Sequence, residues 1–154
     1  EVVKYERLHY LYTYQTMPED AFTAINAQHP SKAVPLRLAS IPVILPGVYR
    51  ERFAYPIVSL IDALHGQQPL EELINQSGCY DLVFQREVHT LTLNVFTLNA
   101  ETSLLLDLCQ KEQTIATLIA AVEQQLEETG LADDILAMLG ALQEKQIIGV
   151  RDEQ

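Results

Sequence analysis

The sequence predicts an α+β fold, and three features of the chain predict it. Residues 80–85 and 88–96 alternate apolar and polar side chains, three amphipathic helical segments follow, and a short apolar run at 147–150 closes the chain. Together they describe an antiparallel β-hairpin feeding a three-helix, winged-helix-like unit. An N-terminal helix and extended segments precede it.

Residues 2–14 place Tyr5, Leu8 and Tyr12, and also Val2, Tyr5 and His9, three or four apart, as one face of a helix requires. Met17, Pro18, Glu19 and Asp20 break that helix and can cap a short second one over 21–27; residues 28–35 read as a connecting loop. Residues 36–45 are punctuated by Pro35, Pro42 and Pro46. Because proline cannot donate to a strand ladder, this stretch reads as an extended segment over a core rather than a central strand. Residues 55–61 form a second extended run, Gly66 and Pro69 mark the turn after it, and 70–76 fit one helical turn.

In the hairpin, Tyr80, Leu82 and Phe84 alternate with Asp81, Val83 and Gln85, while Leu91, Leu93 and Val95 alternate with Thr90, Thr92 and Asn94. That is the pattern of two half-buried strands joined by a short turn at 85–88. Asn99 can cap a helix over 100–110 with Leu104, Leu105 and Leu108 inward. Thr114 can cap the next, running to 127 with Ile115, Leu118, Ile119, Val122 and Leu126 inward. After Gly130 a third helix over 132–145 turns Ile135, Leu136, Leu139 and Leu142 to the core.

The 154 residues are 48% hydrophobic, sufficient for one core or two small ones. A division at residues 1–78 (helix and proline-rich extended segments) and 79–154 (hairpin and helices) is expected. Both are expected to form one compact domain, and the start at Glu1 rather than Met reads as a fragment or a processed chain. No apolar run reaches the roughly 18–20 residues of a membrane-crossing helix. Cys79 and Cys109 lie too far apart for a metal spacing and form no disulfide framework, which fits a reducing cytoplasm.

The net charge is −11, and its distribution is uneven. Residues 1–98 hold seven basic and ten acidic groups, whereas residues 99–150 hold two and nine. DNA-binding proteins gain affinity by releasing counterions through lysine and arginine. A winged-helix reading for DNA would push Asp133, Asp134 and Glu144 into the major groove with Lys145 alone in opposition, so electrostatics argue against it. The same shape can hold polypeptide, because an exposed strand edge accepts an added strand.

Reactive constellations are missing from the pattern. His9, His29, His65 and His89 are scattered, and no phosphate loop, nucleophile elbow, dinucleotide fingerprint or Cys-x-x-Cys occurs. No catalytic residue, cofactor or metal is therefore expected, leaving only an enzyme assembled from dispersed residues as a remote third class. Arg50–Glu51–Arg52 and Arg86–Glu87 read as solvated surface, Asp133 and Asp134 as first-turn acids that complement a helix dipole, and Tyr5, Tyr10, Tyr12 and Tyr14 as helix packing rather than a base-stacking platform.

The order of several short motifs is nonetheless distinctive: residues 5–10 (YERLHY), 41–45 (IPVIL), 53–57 (FAYPI), 80–86 (YDLVFQR), 98–105 (LNAETSLL) and 146–149 (QIIG). Together they resemble the C-terminal domain of HvfC-type proteins, a bacterial family described as DNA-binding and encoded beside iron-dependent peptide-modifying enzymes. The resemblance spans nearly the whole chain. It implies a separate N-terminal helical domain, which carries the family's DNA-binding description, and no catalytic or ligand residue to carry over.

The resulting expectation is a cytoplasmic, non-catalytic partner domain that binds protein or peptide and helps present a ribosomally made precursor peptide to an iron-dependent oxygenase. The alternative is a dimerisation or sensing domain of a DNA-binding transcriptional regulator, with DNA touched only by the missing N-terminal domain. The expected peptide site is the outer edge of the first hairpin strand: Tyr80, Asp81, Leu82, Val83, Phe84 and Gln85.

Overall fold

The computed structural model describes residues 1–14, 35–87 and 92–152. The helix expected over 21–27, nearly all of the loop expected over 28–35, and the first residues of the second hairpin strand lie outside the described residues. Element order is α1 (Val2–Tyr14), β1 (Ser40–Ile44), β2 (Val48–Phe53), α2 (Ile57–His65), α3 (Glu71–Ile74), β3 (Tyr80–Arg86), β4 (Leu93–Leu98), α4 (Ala100–Cys109), α5 (Ile115–Leu126), α6 (Ala132–Glu144) and β5 (Ile148–Asp152). This is the α+β arrangement expected, with an N-terminal helix, an antiparallel hairpin, three helices and a closing strand.

The elements fall into two compact units. One holds α1, β2, α2, α3, β3 and β4; the other holds β1, α4, α5, α6 and β5. This grouping cuts across the expected division at residue 78. The hairpin joins the N-terminal helix, and the proline-containing strand joins the C-terminal one.

In the first unit three antiparallel strands run in the order β2-β3-β4. Leu82 and Phe84 from the centre meet Phe53 of β2, Tyr12 of α1, and Ile57 and Leu60 of α2 in one buried cluster. The Tyr5 and Tyr12 rings lie 5.6 and 5.3 Å from Phe84, so the inward tyrosines do pack α1 onto the sheet. Tyr10 and Tyr14 do not: they are 69% and 60% exposed and touch each other. The helix expected over 70–76 forms as the single turn α3.

Three readings in this unit need correction. Residues 55–61 are not extended but open α2, because Ile57, Leu60 and Ala63 repeat at helical spacing and Pro56 starts a helix well. Short apolar runs do not distinguish the two states by periodicity. The 50–52 charge cluster is the middle of strand β2, where Arg50 and Arg52 both reach Asp81 across the ladder. The described part of strand β4 is Leu93–Leu98, and the connection before it closes with the Glu87 amide donating to the Thr92 carbonyl at 3.0 Å. Nor is β3 half-buried, since Val83 and Gln85 are as covered as Leu82 and Phe84.

In the second unit β1 pairs with β5, and α4 and α5 pack on β1 while α6 packs on β5. Residues 40–44 are thus extended and outside any central position, as expected, and they go further in pairing as one strand of a two-stranded ribbon. The Leu45 amide donates to the directly opposite Ile147 carbonyl. Antiparallel pairs alternate, so Pro42, opposite Val150, sits at a non-hydrogen-bonded position and its missing N–H costs the ladder nothing.

Thr114 caps α5 as expected, its Oγ1 accepting from the Thr117 amide. The inward faces shift slightly from expectation. Helix α4 buries Leu105, Leu106 and Cys109 rather than a 104–105–108 stripe, α6 buries Ile135, Leu139 and Leu142, and Leu126, at the last turn of α5, is 45% exposed.

Truncating Phe84 to alanine should lower unfolding free energy by about 3–5 kcal/mol, since a fully buried ring leaves a cavity. Leu126→Ala should stay within about 0.5 kcal/mol of the starting protein. Urea unfolding of the two variants checks both values.

Candidate functional site: the edges of the three-stranded sheet

Backbone pairing decides which strand can accept another. The Arg86 amide donates to Gly47, directly opposite it, and the Glu87 amide donates to Thr92, directly opposite on the other side. Alternation from these two anchors turns Tyr80, Leu82, Phe84 and Arg86 toward β2, and Asp81, Val83 and Gln85 toward β4. Every backbone group of β3 therefore faces a partner strand. The expectation that Tyr80, Asp81, Leu82, Val83, Phe84 and Gln85 offer an outer edge is corrected here: β3 is the central strand and has none. An added strand would have to pair with β2 or β4.

The two outer strands differ in chemistry. On β2 the outward-facing residues are Val48, Arg50 and Arg52, and the Arg52 carbonyl accepts from Lys4 Nζ at 2.8 Å. The Ala54 amide just beyond donates to the Glu1 carboxylate at 2.9 Å. Tyr12 holds α1 in the same region: its ring stacks on Tyr49 at 4.1 Å between centroids, and its hydroxyl donates to Glu51. Charged side chains are a common means of closing a sheet edge; the body of α1 packs against β3 and β4, and it is its side chains that reach β2.

Strand β4 (LNVFTL) carries no charge and no proline. Its outward-facing backbone groups belong to Leu93, Val95 and Thr97. Among the described residues, β3 is its only strand neighbour, and no backbone bond reaches those three positions from outside the sheet. Asn94, turned the other way, donates to the buried Gln85 side chain at 2.9 Å, which satisfies the polar end of the β3–β4 ladder. An uncharged six-residue edge is a template for pairing. The β1 edge contrasts with it, because Pro42 faces outward there and removes a donor.

Among the described residues no group of three or more His, Cys, Asp or Glu side chains could hold a metal ion. Burial pushes the Cys109 thiol up to about 12, so it is an inert packing group, while Cys79 is exposed just ahead of β3. No described helix is long and apolar enough to cross a membrane.

Comparison with known proteins adds one finding. Residues 88–148 match the family model of coenzyme PQQ synthesis protein D, PqqD. The match takes in all of β4, helices α4, α5 and α6, and the first residue of β5, which is less than half of the chain. No curated protein matches. The PqqD-like segment thus contains the uncharged edge strand and leaves out β2 and α1. Sequence reading missed that β4, not β3, is the edge, and the available signal was the Arg50–Glu51–Arg52 alternation within 48–53, which marks a third strand.

Burial, then the Glu51 hydrogen bond and charge, raise the Tyr12 hydroxyl well above the ordinary tyrosine range. Above about pH 10 the unfolded chain releases this proton while the folded chain keeps it, so the unfolded state binds fewer protons and stability falls as pH rises. Tyr12→Phe should flatten that alkaline decline. It should also destabilise the protein by about 1–3 kcal/mol at neutral pH by leaving Glu51 without its donor, and urea unfolding from pH 7 to 11 measures both effects.

Proposed function

We propose that this chain is a non-catalytic peptide-binding partner domain in which the outer edge of β4 takes an extended peptide as a fourth strand. PqqD-type domains bind ribosomally made precursor peptides and work beside the enzymes that modify them. The observation that carries the reading is the uncharged, proline-free β4 edge, whose Leu93, Val95 and Thr97 backbone groups face away from the sheet, inside the PqqD-like segment.

Main-chain pairing supplies affinity in such a complex, and the side chains flanking the added strand supply selectivity. Here Leu93 and Val95 flank it on the face that carries the aromatic cluster, and Asn94, Phe96 and Leu98 on the other. Both faces favour apolar peptide side chains. The resemblance to HvfC-type proteins supports the finer part of the proposal, that the enzyme served is an iron-dependent oxygenase. The acidic helices, with two basic and nine acidic groups over 99–150, support polypeptide rather than duplex DNA as the ligand.

The test uses synthetic peptides encoded beside this gene. Amide exchange should slow at Leu93, Val95 and Thr97 on binding and stay unchanged along β3. Val95→Pro removes an outward donor without breaking a β3–β4 bond, and should weaken binding at least about tenfold, the loss of roughly 1.4 kcal/mol. Binding that leaves β4 exchange unchanged, or that survives Val95→Pro, contradicts the site; tight duplex binding by this chain contradicts the ligand class.

A further inference from the structure

Strand addition is a hazard as well as a means of recognition, because an open edge pairs with any extended chain, including another copy of the same protein. The three-stranded sheet has two outer strands, and only one of them is left plain. At the other, two charged side chains from the start of α1 reach backbone groups near the C-terminal end of β2: Lys4 Nζ donates to the Arg52 carbonyl at 2.8 Å, and the Glu1 carboxylate accepts from the Ala54 amide at 2.9 Å. Arg52 occupies a non-hydrogen-bonded position against Asp81, so its carbonyl points away from β3, toward the place a fourth strand would occupy.

The lysine is held there by more than one contact. Its ammonium lies 4.6 Å from the centre of the Phe53 ring, a cation–π distance, and Phe53 itself is buried in the aromatic cluster. Helix α1 is fixed along the same strand by the Tyr12 hydroxyl on Glu51 and by the Tyr12–Tyr49 stack. A strand entering at β2 would have to displace both charged groups and break the bonds they make.

We propose that Glu1 and Lys4 are the residues that restrict strand addition to one edge: they close β2 so that only β4 can be extended. The reading deepens the peptide-binding proposal by explaining how a sheet with two outer strands is kept from pairing at both. Its test needs no peptide, so the two can fail separately.

The experiment compares the starting protein with a Glu1→Ala/Lys4→Met double variant, in which methionine keeps the packing over Phe53 but has no donor. Sedimentation velocity should show the variant's mass doubling as concentration rises, and amide exchange along 48–53 should slow with that association. Adding Val48→Pro should return the starting mass, because the Val48 N–H faces outward and its loss costs the β2–β3 ladder no bond. Lys4→Met alone should associate in the same sense but more weakly, and it decides the matter if the double variant does not fold. A folded variant with the mass and β2 exchange of the starting protein overturns the proposal, as does association that persists after Val48→Pro.

Discussion

Everything about the sheet follows from the alternate pairing of β3. Its backbone groups face β2 at Tyr80, Leu82, Phe84 and Arg86, and β4 at Asp81, Val83 and Gln85, so the strand is hydrogen-bonded on both sides. A buried backbone donor or acceptor without a partner costs about as much as a lost hydrogen bond. The two flanking strands are therefore required by the burial of Leu82, Val83 and Phe84, all at or below 1% exposure. Placing β3 in the centre is also what makes β2 and β4 the outer strands, and it moves recognition away from the residues that look most strand-like in the sequence.

The outer strands are then distinguished by side-chain chemistry alone. Strand β2 carries arginines that Asp81 anchors, and its backbone is met by α1 through Glu1 and Lys4. Strand β4 carries no charge, and among the described residues no such group bonds its outward backbone positions; it is the strand that lies within the PqqD-like segment. A peptide reader needs one open edge and a means of keeping the others shut; Pro42 in β1 contributes to the second requirement by facing its missing donor outward.

Much of this was legible in the sequence, and the exceptions have physical causes. Helices α1, α5 and α6 were readable because Tyr5, Leu8 and Tyr12, Ile115, Leu118, Ile119 and Val122, or Ile135, Leu139 and Leu142 repeat at helical spacing over about two turns. The hairpin was readable from alternation. Strand β2 was not, because its alternation is of charge and its salt bridges are made across the sheet to a residue about thirty positions away. Without β2 in view, β3 looked like an edge. Pro42 concealed β1 for a different reason: a proline argues against a central strand but is tolerated at the outward positions of a two-stranded ribbon, and register is not visible in one sequence. Residues 55–61 were misread because the helical repeat shows only when Ala63 is included.

The proposed recognition turns on geometry, an extended ligand lying alongside β4, and that geometry has a direct signature. Isotope-filtered NMR of labelled protein with an unlabelled peptide encoded beside its gene would reveal it. Cross-strand contacts from peptide backbone protons to Leu93, Val95 and Thr97 are expected, with none to residues 48–53. Contacts confined to the exposed Tyr10 and Tyr14 side of α1, or to β2, would contradict strand addition at β4.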